Sequence, residues 1–169
     1  MPADTQTRAQ ILDDVSAEIR AHLGDKALDI SENHGNLIVR VASENRVGAL
    51  STLKVLGFAY YSWAGGVDWP ADNRFEVLDH VSNPTRNVQL TLKCEVPRDN
   101  PRVPTAVDVY PGADWHERET WELFGIVFVD HPRLRRLLLA DWQEGFPMRK
   151  DEVLRARVEK PWPGDFFSG

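Results

Sequence analysis

The strictest pattern in the chain is the run from Val88 to Val96. Val88, Leu90, Leu92, Cys94 and Val96 alternate with Gln89, Thr91, Lys93 and Glu95. Such a period of two puts one set of side chains in a core and the other outside it, which a helix cannot do. Pro97, Pro101 and Pro104 end the run, because proline withdraws a ladder donor. Whatever else the chain does, it must therefore supply a layer to cover one face of a sheet.

That layer is readable upstream. Thr7 with Gln10 forms a capping box, and Ile11, Val15, Ile19 and Leu23 recur every four residues until Gly24. This predicts an amphipathic helix over 8–23. Ala27–Ser31 and Leu37–Ala42, joined by Glu32-Asn33-His34-Gly35-Asn36, predict a hairpin. Ser43 is placed to cap a second helix carrying Val47, Leu50, Leu53 and Leu56 and closing at Gly57. Phe58–Trp69 is β-prone and broken by Gly65-Gly66, and Phe75, Val77 and Val81 share one strand face. Residues 105–111 predict a short helix. Asp114 with Glu117 predicts a capped helix from Trp115 to about Phe124, ended by Gly125. The order of elements implies an α+β domain of two layers, helices packed on one mixed five-stranded sheet.

A compact body over 1–144 is expected, followed by an extended arm over 145–169 that holds Phe146, Trp162, Phe166 and Phe167 without helical or strand period. An arm of that kind has no apolar face to bury alone, and its aromatics and arginines suit a partner. Charge divides along the chain. Residues 1–130 carry a net −8, and residues 131–160 a net +3. The overall −6 argues against nucleic acid. Apolar content of 42% and charge of 27% place the chain among soluble globular proteins. The longest apolar stretch, Val55 to Val67, is too short to span a bilayer, and the polar N-terminus does not read as a signal peptide. A cytoplasmic protein that meets a membrane through partners is expected from these features.

The usual chemistries are sparse. No dinucleotide turn, P-loop or nucleophile elbow occurs. Cys94 is the only cysteine. It lies on an apolar strand face and cannot by itself hold an iron–sulfur cluster. His116, Glu117, Glu119, Asp130 and His131 invite a metal, yet lack paired histidines at helical spacing. Glu119 and Glu122 read as acids that neutralise Arg118 and nearby arginines rather than as an acid–base pair. Arg133, Arg135 and Arg136, with leucines between them, favour ion pairs to a protein surface over an anionic lipid. Trp115, Trp121 and Trp142 default to core packing.

The stretch from Asp114 to Asp151 resembles the 30-kDa subunit family of respiratory complex I, the C subunits of NADH-quinone oxidoreductase. The signature positions are Glu117-Arg118-Glu119, Glu122, Leu123-Phe124, His131, Arg135 and Leu137-Leu138. The longer pattern adds Gly125, Pro132, Arg136, Gly145, Pro147, Arg149, Lys150 and Asp151. Asp130, Met148 and Glu152-Val153 depart from the family's usual residues. The resemblance implies a structural subunit with no catalytic, cofactor or metal site of its own. It implies packing against the 49-kDa subunit near the quinone site of a proton-translocating enzyme, peripheral on the cytoplasmic face of a bacterial plasma membrane. FMN, iron–sulfur clusters, NADH and quinone would be handled by neighbouring subunits. The signature side chains would then fix the root of the arm or meet the partner. An equivalent subunit of a membrane-bound nickel–iron hydrogenase or another donor:quinone enzyme is the alternative within the family. A free-standing metal enzyme using His116 and Glu119 is the alternative outside it.

Overall fold

The computed structural model describes residues 7–152. Helix α1 (Arg8–Leu23) starts at the Thr7–Gln10 capping box and buries Leu12, Val15, Ile19 and Leu23. Strands β1 (Ala27–Asn33) and β2 (Asn36–Ala42) form the hairpin. Its connection shrinks from the expected five residues to His34-Gly35, because both adopt positive φ, 51° and 79°. A two-residue turn of that hand matches the twist of the flanking strands.

Helix α2 (Arg46–Val55) begins two residues later than expected, after a 3-10 turn over Ser43–Asn45. Ser43 is not its cap; the hydroxyl bonds to Glu44 instead. Strand β3 (Tyr60–Trp69) runs through Gly65-Gly66 unbroken. Those glycines are close-packing positions rather than breaks. A Cβ on Gly66 would stand 3.1–3.3 Å from Phe124, Thr120 and Ile126.

Strands β4 (Arg74–Asn83) and β5 (Val88–Pro97) complete a sheet ordered β1-β2-β5-β4-β3. The β2–β5 pair is parallel and the other pairs antiparallel, so the sheet is mixed as expected. Its inner face presents Leu37, Val39, Val41, Phe75, Val77, Val81, Leu90, Leu92, Cys94 and Val96, all buried, to Leu12, Val15, Ile19, Ala49, Leu50 and Leu53 of the helices. Burying side chains of this size contributes roughly 1.5–3 kcal/mol each. The outer face carries ion pairs that link Arg40 with Glu76 and Glu95, Lys93 with Glu76, and Arg74 with Glu95.

A second, two-stranded ladder pairs β6 (Arg102–Pro104) in parallel with β7 (Val127–Val129). Between them stands α3 (Ala113–Phe124), which packs over β3. No helix forms over 105–111. Instead Val109 and Tyr110 donate to the Ala106 carbonyl in a turn, and Thr105 donates to Val129. That segment is drawn off the helical path by its ties to β7 and to Glu117.

Candidate functional site

Arg46, the first residue of α2, is wholly buried. Its Nε and Nη2 donate to the two oxygens of Asp79 at 2.7 and 2.6 Å. Its Nη1 donates to Glu117 Oε1 at 3.0 Å and to the Pro104 carbonyl at 2.7 Å. Glu117 also accepts from the Ala106 N–H at 2.8 Å and from the Thr105 hydroxyl. Tyr61 donates to Asp79 at 2.6 Å. One guanidinium thus joins α2, β4, α3 and the end of β6, and Glu117 adds the segment after it.

Electrostatics keep the Arg46 guanidinium charged. Burial alone would lower the Arg46 pKa, but Asp79 and Glu117 outweigh it and the net shift is upward. Burial and the Asp79 charge push the Tyr61 hydroxyl well up, so it stays a donor. A fork between two carboxylates is the geometry that guanidinium suits. The cluster ties α3 to the sheet beneath it and to α2.

The expected capping box at α3 does not form. The helix starts one residue before Asp114, and its N-terminal cap is Gly112 without a side-chain bond. Glu117 is turned inward to Arg46. Asp114 instead pairs with Arg133 through one oxygen and faces His131 Nε2 at 3.4 Å with the other. His131 Nδ1 lies 3.0 Å from the Arg133 backbone N–H and accepts from it, so the proton of a neutral ring sits on Nε2 and points at the Asp114 carbonyl, 3.2 Å away. The ring is fully enclosed.

Arg118 and Glu122 lie one turn apart on α3, and both reach outward to the arm. Arg118 donates to the carbonyls of Arg135 and Arg136 at 3.1 and 2.9 Å. Glu122 accepts three successive backbone N–H groups, from Leu137, Leu138 and Leu139, at 2.9, 2.7 and 3.0 Å. Burial tends to raise the Glu122 pKa. The three N–H donors and the Arg136 charge overcome that, and the carboxyl is held below its usual range. Glu119 and Glu122 therefore do not neutralise Arg118; Arg118 is taken up by carbonyls and Glu122 by amides.

The arm continues against the body as far as Glu152. The Met148 N–H donates to the Leu123 carbonyl at 3.2 Å. Arg149 donates to the Phe124 carbonyl at 2.6 Å and stacks over the rings of Phe146 and Phe75, 4.3 and 5.2 Å from their centroids. Gly125, at φ 77°, leaves the room this needs; a Cβ there would meet Arg149 at 2.5 Å and Phe146 at 2.7 Å. The Lys150 N–H donates to Asp68, which also takes Arg98, while Arg98 reaches Asp151 at 2.7 Å. Lys150 Nζ stands over Trp69. Gly145 turns with φ 83° beside the Glu152 carboxylate. Glu119 and Pro147 are half-buried, and Pro132, Arg135 and Arg136 are exposed. Expectations for Trp162, Phe166 and Phe167 lie outside the described residues.

Two tryptophans depart from the core default. Trp115 and Trp142 are 65% and 73% exposed, and only Trp121 packs against the core. The suggested metal set is divided. His116 leans on Tyr61, Asp130 is exposed, and Glu117 and His131 are 4.0 Å apart within the ion-pair network. No group of three or more His, Cys, Asp or Glu suited to a metal occurs among the described residues. Cys94 is buried, and burial pushes its thiol up to about 12. An open cleft of about 480 Å³ lies between α1 and the hairpin, lined by Leu12, Asp13, Ser16, Ile30 and Leu37; it shares no residue with either cluster.

Sequence reasoning passed over Arg46, Asp79, Tyr61, Asp68 and Arg98. Two signals were available. Asp79 occupies the same strand parity as Phe75, Val77 and Val81, and Arg46 lies on the helical stripe of Leu50 and Leu53. A charge on an apolar stripe is either an error of register or half of a buried pair.

The NADH-quinone oxidoreductase C subunit of Rhizobium rhizogenes is 43% identical over 130 residues, 75% of this chain. The chain spans 64% of that relative's length. The counterpart from Rhizobium johnstonii is 38% identical over 150 residues, covering 84% of this chain and 74% of that protein. Among solved structures, a trypsin-resistant fragment (1-134) of Nqo5 matches with a TM-score of 0.61 at 30% identity, over 73% of this chain and 99% of the fragment. A chain of the membrane-bound sulfane sulfur reductase, an archaeal respiratory membrane complex, shares the fold, with a TM-score of 0.77 at 23% identity over 88% of this chain and 95% of that one. No helix among the described residues is long and apolar enough to cross a membrane. Residues 39–158 match the model of the respiratory-chain NADH dehydrogenase 30 Kd subunit, and the chain belongs to that family.

Proposed function

We propose that this chain is a non-catalytic structural subunit of a proton-translocating NADH:quinone oxidoreductase. In this reading it sits in the peripheral arm at the cytoplasmic face of the bacterial plasma membrane, against the 49-kDa-type subunit near the quinone site. FMN, the iron–sulfur clusters, NADH and quinone are handled by other subunits. Cys94, buried with a raised pKa, suits packing rather than cluster ligation.

The observation that carries the reading is the use of charge on α3. Buried Arg118 and Glu122 direct their hydrogen-bonding capacity to the backbone of 135–139, not to a pocket or a reacting group. This arrangement fixes the path of an arm through its backbone and leaves Arg135, Arg136 and Leu138 exposed. It is what an adapter needs and what an active site does not.

The test is affinity purification of the tagged full chain from detergent-solubilised membranes, with mass spectrometry of the companions and assays of the purified assembly. The expected result is a stoichiometric 49-kDa-type subunit and NADH-driven quinone reduction. Recovery of the chain alone would refute the subunit reading. An assembly that evolves hydrogen instead would replace the NADH enzyme with its hydrogenase counterpart.

A further inference from the structure

We infer that the free edge of β1, together with the cleft between β1 and α1, takes up an extended basic segment of another protein as an added strand. The inference goes beyond the subunit reading and does not depend on it.

β1 ends the strand order of the five-stranded sheet and, among the described residues, pairs on one side only, with β2. Such an edge presents a row of backbone donors and acceptors without ladder partners. Five of the seven residues of β1 are exposed, so this row is open to solvent. The opposite edge strand, β3, has α3 packed over it and the arm at its end, where the Lys150 N–H donates to Asp68. On β1 the register sets Ile30 opposite Val39 and Glu32 opposite Leu37, and both of those partners belong to the buried face. Ile30 and Glu32 therefore lie on the side of the sheet that α1 covers. The open cleft of about 480 Å³ is there, lined by Leu12, Ile30 and Leu37 together with Asp13 and Glu32. A free strand edge beside a helix-walled apolar cleft is an arrangement in which extended peptides add to sheets. The backbone ladder gives affinity, and the cleft receives alternate side chains.

Charge names the class of the occupant. Asp13 and Glu32 border the cleft, and Asp29, set opposite Arg40, lies on the other face of the same strand. Glu32 gives one oxygen to the Gly35 N–H, and Asp29 gives one to the Ser31 hydroxyl. The second oxygen of each accepts no hydrogen bond among the described residues. Arg8 also lines the cleft, but its guanidinium is taken by the carbonyls of Asn87 and Gly35. A strand that alternates apolar and basic residues would set the first against Leu12 and Ile30 and the second toward Asp29, while Asp13 and Glu32 add to the attraction at longer range. A second copy of this chain fits less well. Paired edge to edge, two copies would crowd Asp29 and Glu32 of each into one short ladder, where like charges repel. The carboxylates thus oppose self-pairing and admit a basic strand.

The experiment titrates the full chain with a capped peptide of seven residues, the length of β1, that alternates lysine with valine, and follows amide exchange by NMR at low salt. The expected result is saturable binding, with exchange at alternate amides of Asp29–Asn33 slowed about 10-fold or more. The same peptide with glutamate in place of lysine should bind at least about 10-fold more weakly. A version N-methylated along its backbone keeps the charge and the side chains but cannot complete the ladder, and it should leave the edge unprotected. Asp29→Lys should weaken binding of the lysine peptide about 10-fold and melt like the parent, because Asp29 is exposed. Binding that leaves the β1 amides unprotected, or equal binding by the N-methylated peptide, overturns the added strand. Equal binding by the glutamate peptide, or by Asp29→Lys, overturns the basic class. Concentration-dependent protection of these amides in the chain alone would give the edge to a second copy and overturn the partner. No binding by the lysine peptide sinks the site. Each of these outcomes leaves the copurification test of the subunit reading untouched, so the two fail separately.

Discussion

Glu122→Gln isolates the contact that holds the arm to α3. In the parent, Oε2 accepts from Leu137 and Leu138, and Oε1 from Leu139. Glutamine keeps one carbonyl oxygen, enough for the Leu137–Leu138 pair in a neutral and weaker form. Its NH2 then faces the Leu139 N–H, donor against donor. Hydrogen bonds to an ionised group contribute about 1.5–3 kcal/mol each, against about 1 for neutral pairs. Losing one and weakening two gives roughly 2–3 kcal/mol of local stability, corrected for the part of the arm that relaxes to water. Hydrogen exchange reads this directly. The Leu137–Leu139 amides should exchange about 30- to 150-fold faster, while Leu90 and Leu92 in the central strand should keep their protection. Acid should mimic the substitution in the parent alone. The Glu122 carboxyl is depressed in the folded arm, so its contribution is complete above the unfolded value of about 4.3 and is lost as pH falls through the lower folded value. After correction for intrinsic exchange, protection at Leu137–Leu139 should drop below about pH 4 in the parent and stay flat in the variant. Equal protection in both proteins at pH 7 would mean that the three short contacts hold nothing, and the account of the arm would be wrong.

Two further perturbations address the platform beneath the arm. Arg46→Met strands Asp79 and Glu117 in the core without their shared cation, and should lower unfolding stability by about 3–5 kcal/mol in urea titration; a loss under about 1 kcal/mol would show that the network is incidental. Gly125→Ala forces a side chain into a left-handed position, at a cost of about 1–2 kcal/mol, and against Arg149 and Phe146. Thermal melting should fall by several degrees and the Met148 amide should lose protection, so an unaltered Met148 amide would show that the arm does not depend on that space.

The periodic part of the fold was open to inspection in the sequence, and the polar part was not. Alternation in β5, the four-residue stripe of α1 and its capping box each depend on neighbours in the chain, and each is found where that periodicity puts it. Arg46 and Asp79 are 33 residues apart, and Arg46 and Glu117 are 71 apart. No local pattern fixes which buried charge meets which. The same limit explains the misassigned start of α3. Asp114 and Glu117 satisfy the spacing of a capping box, but Arg46 and Arg133 offer each of them a cation. An ion pair with a guanidinium, charged on both sides, outweighs a cap in which only the carboxylate is charged.

The dense charge at Glu117-Arg118-Glu119 looks, in one dimension, like a cluster that neutralises itself. On a helix successive residues point about 100° apart, and that rotation changes what the cluster is for. Glu117 turns to the core and closes the Arg46 network with the sheet. Arg118, and Glu122 one turn later, turn to the arm and bind its backbone. A single helix of 12 residues therefore links the sheet beneath it to the backbone of 135–139. Its inner charge is held by Arg46, 71 positions earlier, and its outer charges hold amides and carbonyls 15 to 18 positions later. Because the outer contacts are to backbone, they fix where the arm runs without consuming its side chains. That division leaves Arg135, Leu138 and Trp142 exposed while the backbone that carries the first two is held by α3.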